Sequence, residues 1–379
     1  MPTPRSWRVV ARRLSAVLLA TIVVVLTSAT PASAHTDRGV AGSDYDGRVL
    51  GTSASMPGVR VRVTGFGDSL ELLNGSSSTV TVYGYSDEEY LRIGPDGVWR
   101  NANSPATYIN IRRDGAVSLP ARADASADPE WVQVSTQPQY SWHDHRTHWM
   151  SPNPPPKVTA APEVQHTIFT WEVPLALDGA PVVVTGELTW SPPPQGMVWW
   201  PLYALLVLAG ALAGFRARTP RPLAVLLAVS TTAAVWHLVA TPQPGLTALD
   251  RALALGQASL PTLVIAAVTV VAVRVAWRGN GLLAGILAAL IGFMHFVQGL
   301  PDMDALWSAN LITGGPAVLA RASVALLILG GLGLMLGAAG AVRRFRPLYA
   351  DTAPAPAPAT ATFPPSAATP PVTSPAATG

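Results

Sequence analysis

Two hydrophobic patterns divide the chain. Between residues 35 and 195, apolar positions recur every second residue in short stretches: Val59, Val61 and Val63 alternate with Arg60 and Arg62, and Val80 and Val82 with Thr79, Thr81 and Tyr83. A period of two puts such residues on one face of a strand. Turn-forming residues interrupt the stretches at Asn74-Gly75, Gly94-Pro95-Asp96-Gly97, Arg113-Asp114-Gly115 and Asp178-Gly179. They bound further expected strands at residues 90–93, 98–100, 107–111, 167–173 and 182–190. About eight to ten short strands with no helical stretch predict an extracytoplasmic, all-β antiparallel sandwich, with immunoglobulin-like and cupredoxin-like versions both open.

From residue 198 the pattern changes to long apolar runs separated by short loops. It predicts an all-α transmembrane domain of five helices at residues 198–215, 223–241, 259–277, 282–300 and 317–342. Arginines set their direction. Arg216, Arg218 and Arg221 follow the first run, Arg274 and Arg278 close the third, and Arg343, Arg344 and Arg346 close the fifth, which places these boundaries in the cytoplasm. Loops 242–258 and 301–316, with Asp250, Arg251, Asp302 and Asp304, then belong outside.

The chain starts with the parts of a secretory signal at residues 1–34: Arg5, Arg8, Arg12 and Arg13, an apolar stretch at 14–26 too short to span a bilayer, and Ala32-Ser33-Ala34. Cleavage there makes residues 35–195 the external domain and His35 its first residue. An exported domain followed by an odd number of spans leaves the C-terminus in the cytoplasm. Residues 352–379, nearly all Ala, Pro, Thr and Ser, are expected to be a disordered tail. The expected location is the plasma membrane, with the lipid bilayer as one partner and an envelope or membrane protein as another that the sequence leaves open.

Composition removes several chemistries. The chain has no cysteine, which excludes disulfides, thiolate ligands and a cysteine nucleophile. Residues 35–195 carry 11 basic and 18 acidic residues, a net −7, which excludes nucleic acid as a partner. Neither a nucleophile elbow, a phosphate loop nor a dinucleotide fingerprint occurs, and the expectation is that the protein is not an enzyme.

What remains is histidine. Three of the seven lie in Trp142-His143-Asp144-His145-Arg146-Thr147-His148-Trp149-Met150. Imidazole suits copper, zinc and nickel, and the thioether of Met150 favours Cu(I). A regular strand would point His148 away from His143 and His145, so a shared metal needs a bulge or loop, ended by the proline run at 152–156. Asp144 is expected as an orienting partner of the ligands. The competing reading is a hydrogen-bonded aromatic cluster with Asp144 and Arg146 as an ion pair. His35, once N-terminal, adds an amine and a ring for Cu(II). His237 and His295, both near the outer ends of their spans, are further candidates for a metal or proton site, weighed against an interfacial aromatic belt.

An N-terminal histidine plus a histidine cluster resembles, in that feature alone, the exported copper carriers of the CopC type and the copper oxygenases whose mature chains begin with histidine. As a whole, with Tyr83-Gly84-Tyr85-Ser86-Asp87-Glu88, Gly94-Pro95-Asp96-Gly97-Val98-Trp99 and the His cluster, the chain is similar to uncharacterised exported, membrane-anchored proteins of high-GC Gram-positive bacteria. The sequence thus predicts a transition-metal domain, with copper as the metal, for homeostasis, sensing or transfer. The alternatives are a metal-free envelope scaffold or interaction module and, third, a copper oxidase or oxygenase using His35.

Overall fold

The computed structural model describes residues 41–243 and 248–345. The expected signal segment, His35 and the Pro/Ala-rich tail lie outside the described residues.

The N-terminal region is rich in antiparallel sheet. A seven-stranded sheet runs in the order β2 (Tyr45–Thr52), β11 (Ala180–Trp190), β10 (His166–Leu177), β5 (Val80–Tyr83), β6 (Glu89–Gly94), β7 (Gly97–Asn101), β8 (Trp131–Ser135). A three-stranded sheet runs β3 (Val59–Thr64), β4 (Ser69–Asn74), β9 (Gln139–His143). Alternation explains how they meet. Leu70 and Leu72 of β4 and Trp142 of β9 share one buried cluster with Val80, Val82, Leu91, Val173, Leu175, Val182 and Val184 of the larger sheet.

Turn chemistry sets the connections. Asp178 and Gly179 both adopt positive φ, 47° and 83°, the requirement of a tight hairpin turn, and join β10 to β11. Asn74, 1% exposed, carries the chain from one sheet to the other, its amide donating to Ser78 O at 2.7 Å and Ile93 O at 2.8 Å. One expected strand is a correction. Within residues 107–111 the chain forms a short helix, Ala106–Ile109, because Pro105 already has helical φ and ψ, and Thr107 Oγ1 and Tyr108 OH donate back to Asn101 O and Ala102 O. The proline run likewise does not end regular structure: Pro156 opens a one-turn helix, Pro156–Ala160, where its missing N–H costs nothing.

Five helices are long and apolar enough to cross a membrane: Gly196–Phe215, Arg221–Ala240, Ala248–Trp277, Gly281–Leu306 and Ala317–Phe345. The third begins earlier than its pattern suggested, so Asp250 and Arg251 lie in a helix rather than a loop. The fourth ends in a 3-10 turn, Leu300–Leu306, and the fifth contains a π turn, Leu326–Gly330. The fifth span is 67% buried and the first 17%, so the fifth is the centre of the bundle. Gly210 and Gly214 of the first meet Gly333 and Gly337 of the fifth so closely that no Cβ fits, the small-residue packing that lets membrane helices approach without water to drive them.

The two regions are hydrogen-bonded to each other. A short strand in the loop after the fourth span, β12 (Asn310–Leu311), pairs with β1 (Gly42–Ser43), and Asp44 Oδ1 accepts from Ala309 N at 2.8 Å. No strand was expected in that loop.

A glycine tests the sheet packing. In β11, Gly186 pairs with Trp171 of β10, whose indole lies over it, and a Cβ there would collide with the ring. Gly186→Ala is expected to destabilise the sheet region by about 1–3 kcal/mol, the usual cost of overpacking, read as a lower denaturation midpoint of the tryptophan signal.

Candidate metal centre

The site begins where β9 ends. His143, its last residue, pairs with Ser69 of β4, and the chain then turns away from the sheet. Asp144, 0% exposed, makes that turn. Its carboxylate accepts from Trp142 Nε1 at 3.0 Å, from Arg146 N at 3.1 Å, and from Arg146 Nε and Nη2 at 2.8 and 2.7 Å. Its carbonyl accepts from Thr147 N at 3.2 Å. The Arg146 guanidinium also lies 5.0 Å from the Tyr85 ring centroid. The reversal brings His148 back beside His143, which resolves the opposite facing that a regular strand would impose.

Three rings converge. One ring nitrogen from each of His143, His145 and His148 lies within 4.8 Å of the others. His143 Nε2 and His148 Nε2 are 3.0 Å apart. At the metal–nitrogen distances of about 2.0–2.1 Å usual for imidazole, tetrahedral ligands sit roughly 3.3 Å apart, so this pair is already near coordination spacing.

The outer nitrogens decide which atoms are lone pairs. His143 Nδ1 faces Asp68 Oδ2 at 3.2 Å, His148 Nδ1 faces Trp149 O at 3.2 Å, and His145 Nε2 faces Ile109 O at 3.2 Å. Each partner is an acceptor, toward which these nitrogens can donate. Where the Nδ1 atoms of His143 and His148 hold the ring hydrogens, their Nε2 atoms present lone pairs to each other. Met150 Sδ, an acceptor only, lies 3.0 Å from His145 Nδ1. His145 thus meets an acceptor at each nitrogen, the His143 and His148 Nε2 atoms face each other, and the Asp68–His143 contact is the carboxylate–histidine pairing that holds metal ligands in place.

The carboxylate that meets a ring is Asp68, whereas Asp144 shapes the turn through Arg146. The ion pair of the competing reading is therefore present, and it supports the triad. Asp68 is itself held by Arg113 Nε at 2.6 Å, and Gly115 lies close enough that a Cβ would stand 3.0 Å from His145 Cε1. Sequence spacing shows neither: Asp68 and Arg113 reach the site only because β4 pairs with β9 and because the 112–115 turn folds over the triad.

Burial disfavours the charged form of two of the rings. Burial, assisted by neighbouring His143 and Arg113, pushes His148 down to about 4, and burial with His143 lowers His145. Burial opposes ionisation of Asp68, but the His143 and Arg113 contacts prevail and hold its carboxyl at about 2. Burial and the Asp144 charge push the Tyr85 phenol up, so it stays a hydroxyl, accepting from His145 N at 3.0 Å.

Elsewhere, the triad is the sole group of three or more metal-type side chains among the described residues. His237 Nε2 lies 2.9 Å from Asp302 Oδ2 and its Nδ1 3.3 Å from Ser323 Oγ. His295, fully buried, has Nε2 3.1 Å from Thr231 Oγ1, which is 2.8 Å from Thr269 Oγ1. The two histidines therefore have separate partners.

Comparison with known protein families, curated proteins and solved structures finds no match. The geometry yields its own test. His148 ionises at about 4 in the folded chain against roughly 6.5 unfolded, so between those values the unfolded chain binds a proton that the native one does not. With a chelator present, stability should rise from pH 4 to pH 6.5 by an amount on the order of 2 kcal/mol, and His148→Gln should flatten that slope in thermal melts.

Proposed function

We propose that this is an integral plasma-membrane protein whose external β-sheet domain binds a transition metal, copper first, for homeostasis, sensing or transfer, without catalysis. The observation that supports this reading most is the approach of one ring nitrogen from each of three histidines to within 4.8 Å of the others, with each ring also meeting an acceptor. Copper is favoured over zinc by Met150 Sδ at His145, since a thioether is a soft donor. The absence of cysteine leaves imidazole and thioether as the soft ligands. His35 completes the Cu(II) form of this reading, its amine and ring joining the triad after signal cleavage.

A metal-free scaffold is the alternative, favoured by one observation: Asp144, Arg146 and Trp142 hold the turn without help from an ion. Competition titrations of the full-length protein in detergent separate the two. The metal reading expects tight Cu(I) binding, a loss of at least about tenfold in His145→Ala, comparable to losing even a supporting partner, and a Met150→Leu loss confined to Cu(I). Failure to bind Cu(I), Cu(II) or Zn(II) at micromolar concentration would promote the scaffold.

Sidedness follows from the arginines at 216–221, 274–278 and 343–346, which we assign to the cytoplasm. A reporter fused after Gly379 should be active only inside and one after Pro242 only outside; the reverse would overturn the orientation.

A further inference from the structure

The hydrogens around His237 can be counted. The ring lies in the second span with its side chain 18% exposed, against Asp302 of the 3-10 turn at 8%. Ser323 Oγ stands 3.3 Å from His237 Nδ1 and donates to Ala320 O at 2.7 Å. A hydroxyl has one hydrogen, and the shorter bond takes it. Toward His237 the serine then presents a lone pair, so Nδ1 carries a hydrogen. Asp302 Oδ2 is 2.9 Å from Nε2. An ionised carboxylate accepts only, which requires a hydrogen on Nε2 as well and makes the ring a cation. With a neutral ring, Nε2 is a lone pair and the hydrogen must sit on Asp302. In both cases one proton lies between the two atoms. Without it, an imidazole lone pair would face a carboxylate charge in a largely dehydrated place.

We propose that the His237–Asp302 pair is a proton-binding site at the end of the helix bundle that adjoins the sheet domain. It holds one proton, exchanged with water as hydronium through the part-exposed ring edge. The occupied site ties three elements together, because the ring bonds the turn through Nε2 and the fifth span through Nδ1. Release of the proton to water leaves His237 neutral and Asp302 anionic, and replaces the strongest of those ties with repulsion.

Charged groups lie on several of the neighbouring elements. Asp304 shares the turn and has a buried Oδ1 without a hydrogen-bond partner. Arg321 of the fifth span donates to Ala305 O and Ser308 O at 2.6 and 2.8 Å. Asp44 comes from the sheet domain, and Asp250 and Arg251 from the first turn of the third span; the first span, and the fourth before its 3-10 turn, carry no Asp, Glu, Lys or Arg. His295 differs: Thr231 supplies a hydroxyl that can donate or accept, and nothing around it forces a second hydrogen onto the ring.

A helix-joining hydrogen bond alone would hold the same elements but makes no demand on protonation. The test therefore reads the proton itself. Full-length protein with 15N-labelled histidine is placed in lipid nanodiscs at about pH 7, and the His237 signal is assigned by its loss in His237→Gln. The proposal expects a doubly protonated His237 ring, or an Nδ1–H ring together with an infrared carboxylic-acid band that Asp302→Asn removes. In Asp302→Asn the amide can donate to Nε2, so the ring should become neutral with Nδ1–H, a loss of one proton per chain. A neutral His237 ring beside an ionised Asp302 in the wild type overturns the proposal. So does a 15N pattern identical in wild type and Asp302→Asn without loss of a carboxylic-acid band. Should Asp302→Asn fail to fold, the wild-type ring pattern and infrared spectrum decide alone.

Discussion

The buried charge pair of Asp144 and Arg146 is the interaction on which the candidate site depends. It is short in sequence, two residues apart, and deep in burial, so it acts as a clamp on a single turn. Taking a carboxylate out of water costs several kcal/mol unless its lone pairs are filled. Here Trp142 and three Arg146 donors fill them. The same guanidinium reaches Tyr83 O at 3.3 Å, which ties the turn to the larger sheet. Removing either partner would strand the other charge, a loss of about 3–5 kcal/mol in comparable pairs. The triad is thus placed by a turn that is held without a ligand, and the Nε2 atoms of His143 and His148 are left facing each other.

That last property sets the histidines apart from ordinary core polar groups. Buried donors and acceptors are nearly always satisfied within the fold. The triad meets acceptors at three nitrogens, Asp68, Trp149 O and Ile109 O, and leaves Nε2 of His143 and of His148 facing each other and Nδ1 of His145 facing Met150 Sδ. An N–H between His143 and His148 would relieve the repulsion, but one ring would have to abandon its outer acceptor to provide it. The membrane pair shows the same accounting with a different outcome. At His237 both neighbours accept, so the shortage is one of protons and a single proton meets it. At the triad two ring nitrogens meet at 3.0 Å and a third meets a sulfur at 3.0 Å, two contacts that one proton cannot serve together.

Much of the frame was legible in the residues. The alternation at Val59–Val63 became β3, Asp178-Gly179 became a hairpin turn with both φ values positive, and the five apolar runs became five helices within a few residues of their expected ends, except for the third. These are local signals, set by periods of two or by run length. The exceptions are local too: Pro105 starts a helix in an apolar stretch, and the third span extends back to Ala248 through a turn that carries Asp250 and Arg251. The candidate site was half legible. The cluster at 143–148 stands out because histidine is scarce, and its turn could be anticipated from the facing problem of His148. Asp68, Arg113 and Ile109 O could not, because they are distant in sequence and arrive through sheet pairing and loop folding.

Strand β2 links these parts physically. At Gly47 it packs against Gly67, 2.6 Å from where a Cβ would lie, directly beside the Asp68 that braces His143. Two residues earlier, Tyr45 O and the neighbouring Asp44 receive Asn310 and Ala309 from the loop after the fourth span. A strand hydrogen-bonded along its length to β11 is stiff along its axis, so the brace of the triad and the membrane loop keep a fixed separation. Coordination geometry tolerates errors of only about half an ångström before affinity suffers, and sites carried on strands hold that tolerance better than sites carried on loops. The triad sits on a turn, and the anchored strand beside it supplies the rigidity that the turn lacks.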